Sequence, residues 1–219
     1  MKNKNLTNRI TLAAMFAAIA FIMAAIGHFI PIPKVAGILS YDPKDSVIVI
    51  SGFILGPWFA IGETLIVSFI EMLTISATGI YGFIMNAVST LAFALPPVFV
   101  YKAMRSKKGA VAGLLTGVAA MAGIMVLWNY IITPIYMNIP REAVVPMLWS
   151  VFLPFNAIKG GLNAALAMLL YAPIMNALHS GKVLETGGGK KRFSPVWTVG
   201  ALAFFVTLVL LLLALAGVI

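Results

Sequence analysis

Glu71, Asn86, Asn129, Asn156 and Lys159 stand inside long apolar stretches, where a polar side chain is costly enough to imply a use. Counted along helices at about 1.5 Å per residue, they fall at similar depths. Glu71 lies a little over one turn from the expected outer end of a third helix, and Asn86 about two turns inside a fourth. Asn129 lies about one turn from the outer end of a fifth. Asn156 and Lys159 lie roughly two to three turns into a sixth, and their i, i+3 spacing puts them on one face. An amide offers both a donor and an acceptor, which suits cyclic amides and imides, and an ammonium adds a cationic donor. Tyr41, Tyr81, Phe83, Trp128, Tyr130, Phe152 and Phe155 flank this set and supply flat faces on which a ring can stack. The expected product is a ligand pocket in the outer half of a helix bundle. The competing account is polar glue, with each Asn bonding across helices and Lys159 paired to Glu71. Convergence of four helices at one depth favours the ligand.

Catalytic chemistry finds little support. No cysteine occurs, which excludes disulfides, thiolate catalysis and cysteine-bound metal. His28 and His179 are expected at opposite faces, too far apart to share a metal or a relay. The chain has no H-E-x-x-H, no G-x-S-x-G and no Gly-rich dinucleotide loop. Gly187-Gly188-Gly189-Lys190-Lys191-Arg192 lacks the spacing of a phosphate loop, so any ATP hydrolysis must come from another chain. Only Glu71 and Lys159 are expected to be ionisable and membrane-buried, which argues against proton coupling. Glu63, near the inner end of the third helix, is expected to snorkel toward solvent or a partner.

The elements that position these residues are transmembrane helices. Of 219 residues, 62% are hydrophobic and only 10% charged, too few to clothe a soluble domain. The apolar runs are long rather than alternating, and helices satisfy their own backbone in hydrocarbon. The first run, about 10–30, is longer than a signal-peptide core and is read as a retained helix. A short run at 46–55 and a second at 58–75 are divided by Gly56-Pro57. Further helices are expected at about 79–101, where Pro96-Pro97 should kink the inner end, and at 110–133, stopping at Pro134. An external loop then leads to the sixth helix at 147–178.

The net charge of +9 reads as topology rather than as nucleic-acid binding. If the short run at 46–55 spans, Lys2, Lys4, Arg9, the basic turn 102–108 and the basic linker share the cytoplasmic side. Lys34, Lys44 and Arg141 then stand outside. A re-entrant run would put most basic residues outside, so it is read as spanning. The domain plan is a bundle over 1–180, a Gly-rich basic linker over 181–194 and a seventh, uncharged helix over 195–219. The N-terminus is expected in the cytoplasm and the C-terminus outside the cell.

Four segments carry a resemblance: SYDPKDSVIVISGFILGP, GIYGFIMNAVSTLAFALP, WNYIITPIY and LPFNAIKG, in this order and on these helices. They resemble the riboflavin-specific substrate-binding (S) components of energy-coupling factor (ECF) transporters, over roughly residues 5–180. The resemblance implies an all-α membrane protein: a six-helix transmembrane bundle of the S-component type, here with an extra C-terminal helix. It implies capture of riboflavin near the extracellular face and no chemistry upon it. A transmembrane coupling (T) subunit and a pair of ABC ATPases are the implied partners, with the bundle toppling in the bilayer to deliver its cargo. No cofactor, metal or nucleic acid is implied. Asn129, Asn156 and Lys159 match the family's flavin contacts, and Tyr41 and Asp42 lie in the segment that resembles its lid. Ala13, Ala14, Ala17 and Ala18 match the small-residue surface that docks the coupling subunit. An S component for thiamine, biotin or folate, and a membrane enzyme or structural bundle, are the alternatives.

Overall fold

The computed structural model describes residues 2–29, 34–36, 39–180 and 195–218. The linker expected at 181–194 lies outside the described residues. The elements are α1 (Lys2–Phe29), α2 (Lys44–Leu55), α3 (Pro57–Thr74), α4 (Gly79–Met104), α5 (Lys107–Met137), α6 (Arg141–Met147), α7 (Leu153–Ser180) and α8 (Pro195–Leu215). A π-helical turn, Leu148–Phe152, joins α6 to α7. Six of the described helical stretches are long and apolar enough to cross a membrane: α1, α3, α4, α5, the α6–α7 unit and α8. The protein is an all-helical, multi-pass membrane protein.

α2 is the exception in length. Its 12 residues rise about 18 Å, short of the roughly 30 Å hydrocarbon layer. It nevertheless carries the chain from one end of the bundle to the other. Its start lies by the end of α1, where a Cβ on Gly27 would stand 3.1 Å from Pro43 and 3.2 Å from the Tyr41 carbonyl oxygen. Its end lies by the start of α1, where the Arg9 guanidinium donates to the Leu55 carbonyl at 2.6 Å. So short a helix suffices because α1, α3, α4 and α7 all pack on it, and Val47, Ile48, Val49 and Ile50 are buried. Gly56, with φ +101°, then turns the chain sharply, and Pro57 at the first helical position starts α3.

α4 and α5 pack so closely because α5 offers glycine to the prolines of α4. A Cβ on Gly113 would stand 2.8 Å from the Pro97 Cα, and one on Gly117 would overlap the Phe93 carbonyl oxygen. The helix bearing Pro96-Pro97 runs on to Met104.

Several boundaries differ from expectation, each for a local reason. α5 does not stop at Pro134 but continues to Met137, capped by Asn138 in the left-handed region. The N–H that Pro134 lacks would have served only the Tyr130 carbonyl, one turn back and near the helix end. The segment expected as an external loop is largely helix, since α6 starts at Arg141. Ahead of Pro154 the turn widens, with the Leu153 N–H bonding the Leu148 carbonyl. That wider turn gives the proline ring room where a regular turn would clash with the carbonyl four residues back.

α8 packs along α7. Ala14 and Ala18 of α1 remain exposed, whereas Ala13 and Ala17 turn inward against the main core.

Candidate ligand-binding site

A cavity of about 450 Å³ opens at the end of the bundle where α1 meets α2. It is walled by the ends of α1, α3, α4, α5 and α7 and by the segment 39–42. Its size lies within the roughly 300–1,000 Å³ of small-molecule sites. Glu71, Asn86, Asn129, Asn156 and Lys159, scattered over 89 positions of sequence, all line it, as do Tyr41, Asp42, Tyr81, Phe152 and Phe155. Trp128, Phe83 and Tyr130 are not among its lining residues. Trp128 packs half-buried against the main core, Phe83 sits edge-on to Phe69, and Tyr130 lies beneath the Arg141 guanidinium.

Two charged clusters border the cavity. In the first, the Lys44 ammonium is fully buried and contacts Asp42 Oδ2 and Glu71 Oε2, each at 2.6 Å. Asn86 Nδ2 donates to the same Glu71 oxygen at 3.0 Å. Lys44 was expected in an outer loop; the structure makes it the first residue of α2 and an internal counter-ion. Burial alone would raise the Asp42 carboxyl, but the Lys44 ammonium against it, with Lys159 beyond, holds it below the ordinary carboxylate range. The Tyr41 hydroxyl is pushed upward by burial, with Asp45 and Asp42 adding to the effect, so it remains a neutral donor. That hydroxyl and Glu71 Oε1 are buried without a hydrogen-bond partner among the described residues.

In the second cluster, Lys159 Nζ stands 3.5 Å from Asp45 Oδ2 and 3.5 Å from Ser89 Oγ. Thr90 Oγ1 donates to Asp45 Oδ1 at 2.6 Å, which fixes the carboxylate. Charge-assisted N–H···O bonds run about 2.7–2.9 Å, so Lys159 is held loosely and keeps donors to spare. Lys159 does not pair with Glu71, whose charge is taken by Lys44.

The amides are also only partly used. Asn129 Nδ2 donates to the Met125 carbonyl at 2.7 Å, and its Oδ1 accepts from Thr133 Oγ1 at 3.0 Å. Asn156 Nδ2 donates to the Phe152 carbonyl at 2.7 Å, and its Oδ1 accepts from none of the described residues. Each NH₂ group retains a second hydrogen. These back-bonds to the preceding turn fix both amides without consuming them. The helix-to-helix amide bonds of the competing account are not made by Asn129 or Asn156; of the three amides, Asn86 alone bonds across, to Glu71.

Sequence reasoning missed Lys44 and Asp45, and undercounted the buried charges. Glu63 is also buried, 3% exposed, and accepts from Ser51 Oγ at 2.6 Å rather than meeting solvent. Asn163 was missed as well; its Nδ2 donates to the Asp42 carbonyl at 3.0 Å and ties the segment 39–42 to α7. One signal was available. An Asp-Pro-Lys-Asp cluster abuts a short run that is apolar on all sides, which marks a buried helix whose first turn is carried inward with it.

A family model described as ECF transporter, substrate-specific component, matches residues 8–171. The chain belongs to this family. Every polar residue placed in the cavity lies within the matched stretch, and α8 lies beyond it. The chain is 30% identical over 161 residues to the riboflavin transporter FmnP of Bacillus subtilis (strain 168), covering 69% of this chain and 84% of that protein. It is 28% identical over 182 residues to the riboflavin transporter RibU of Staphylococcus aureus (strain TCH60), covering 80% and 95%. A solved structure described as the S component of a bacterial ECF transporter superposes with TM-score 0.67 at 28% identity. That match covers 81% of this chain and 99% of the solved one. As an ECF substrate-specific component, the chain is part of a membrane transporter.

Proposed function

We propose that this S component binds riboflavin at the extracellular face of the cell membrane and hands it inward. The reading rests chiefly on the unspent hydrogen-bonding capacity of Lys159, Asn129 and Asn156 around one cavity with aromatic walls. A flavin ring offers what these groups lack: carbonyl oxygens for Lys159 and the amide NH₂ groups, and an imide N–H for an amide oxygen. Phe155, Phe152 and Tyr81 line the same space and suit a flat ring. Glu71 Oε1 and the Tyr41 hydroxyl, both buried and without a hydrogen-bond partner among the described residues, suit the hydroxyls of the ribityl chain. Trp128 has no part in this contact set. Two relatives carrying the name riboflavin transporter support the choice of vitamin.

Membership of the family supports a reading of the partners. A transmembrane coupling subunit would dock on Ala14 and Ala18, the outward pair of the small-residue stripe, and an ABC ATPase pair would supply the energy. The cavity lies at the end of the bundle opposite Arg9, and α8 ends beside it. With the cavity outside, the N-terminus is cytoplasmic and the C-terminus extracellular. Residues 1–180 form the binding domain, with 181–194 as linker and 195–219 as an added helix.

Purification in detergent tests the ligand directly. A yellow preparation with flavin absorbance, and riboflavin by mass in the extract, is the expected result. A colourless protein that takes up thiamine, biotin or folate but not riboflavin would overturn the reading.

A further inference from the structure

α8 runs antiparallel to α7 and backs the cavity wall from outside. Leu208 and Leu212 share one buried cluster with Phe155 and Leu162 of α7 and Val35 of the segment before α2. Leu39 and Tyr41 pack against that cluster. Three of these residues, Phe155, Leu39 and Tyr41, also line the cavity. The approach is close, since a Cβ on Gly161 would stand 2.7 Å from Leu208 Cδ1. The other faces of α8 are exposed, with Leu202 at 52% and Leu211 at 49%.

The segment 39–42 is therefore held from two sides. On its inner side Lys44 and Asn163 bind Asp42 through polar contacts. On its outer side the restraint is apolar and comes from the cluster that α7 and α8 build together, in which Leu208 and Leu212 lie beyond the residues matched by the family model. Loosening packed apolar contacts acts mainly on the rate at which a complex opens.

We infer that Leu208 and Leu212 are positioning residues for ligand retention: acting through Phe155 and Tyr41, they clamp the covering segment and slow release. The inference rests on the flavin reading for its kinetic arm only. Truncating both leucines removes the apolar clamp and leaves every polar group at the cavity in place. A second variant, Gly161→Ala, pushes the Leu208 side chain from its place against α7 without touching the cavity.

Two measurements decide it on the full chain in lipid nanodiscs: amide hydrogen exchange across 39–42 without ligand, and riboflavin dissociation followed by flavin fluorescence. Leu208→Ala/Leu212→Ala and Gly161→Ala should each speed exchange and dissociation by about tenfold, with association little changed. Leu208→Met/Leu212→Met should restore both, and Leu202→Ala/Leu211→Ala should alter neither. Wild-type exchange in both Leu208→Ala/Leu212→Ala and Gly161→Ala, even with lowered melting temperatures, would make α8 a mere anchor and overturn the inference. A wild-type protein that binds no flavin would defeat the flavin reading instead, while the exchange arm still decides the role of α8.

Discussion

The Lys159 ammonium stands 3.5 Å from the Asp45 carboxylate, whereas Lys44 touches Asp42 and Glu71 at 2.6 Å each. Two buried cations, one lining the cavity and one behind its wall, thus have different work. Lys44 is spent on the fold, and Lys159 is held in place yet left free to donate. Asp45, fixed by Thr90, orients Lys159 without consuming it. Asp45→Asn should weaken riboflavin binding about tenfold by loosening Lys159, while the cavity itself persists. Equilibrium titration of flavin fluorescence reads this, and an unchanged affinity would remove Asp45 from the account.

Lys44→Met leaves two carboxylates buried without their cation. Removing one partner of a buried ion pair costs about 3–5 kcal/mol, so the ligand-free protein should melt at clearly lower temperature in detergent. Adding Glu71→Gln should recover part of the loss, because one stranded charge is then neutral. Equal melting temperatures for wild type and Lys44→Met would show that the pair is not the internal counter-ion described.

How much of this was legible in the sequence depended on where each residue's burial comes from. Glu71, Asn86, Asn129, Asn156 and Lys159 announce themselves because each interrupts an apolar run, and depth follows from counting along a helix. Lys44 and Asp45 do not, because they sit beside Pro43 among charged neighbours, as a loop residue would. Their burial arises only when α1, α3, α4 and α7 close around α2. Trp128 precedes Asn129 by one position, about 100° around α5, and that rotation carries it to the main core instead of the cavity. The helix ends were misread at Pro134 and Pro146, because proline breaks a helix only where the carbonyl it strands has nowhere to go.

Glu63 offers a separate test. It accepts from Ser51 Oγ through one oxygen, while the other is buried without a partner among the described residues. Glu63→Gln keeps an acceptor for Ser51 and removes the carboxylate, so stability and uptake should stay at wild-type levels. Glu63→Ala strands the Ser51 hydroxyl and should cost about 1–3 kcal/mol in melting experiments. A loss of uptake in Glu63→Gln with binding intact would assign the carboxylate a role in transport.

Ala14 and Ala18 face outward on α1, free of α8. Enlarging both, as Ala14→Leu/Ala18→Leu, should abolish riboflavin uptake in cells co-expressing the coupling subunit and ATPases. Flavin binding by the purified variant should stay within about threefold of wild type, since neither residue lines the cavity. Full uptake would place the docking surface elsewhere.

The most direct test of the account is the riboflavin dissociation constant of the purified chain beside Lys159→Ala and Asn156→Ala, each verified as folded by its melting curve. Losing either group leaves part of the flavin's polar edge unpaired, at about 1–3 kcal/mol, so each variant should bind roughly 5- to 150-fold more weakly. Wild-type affinity in both variants would contradict the account, because the cavity would then hold its ligand without the two side chains whose free bonding capacity defines it.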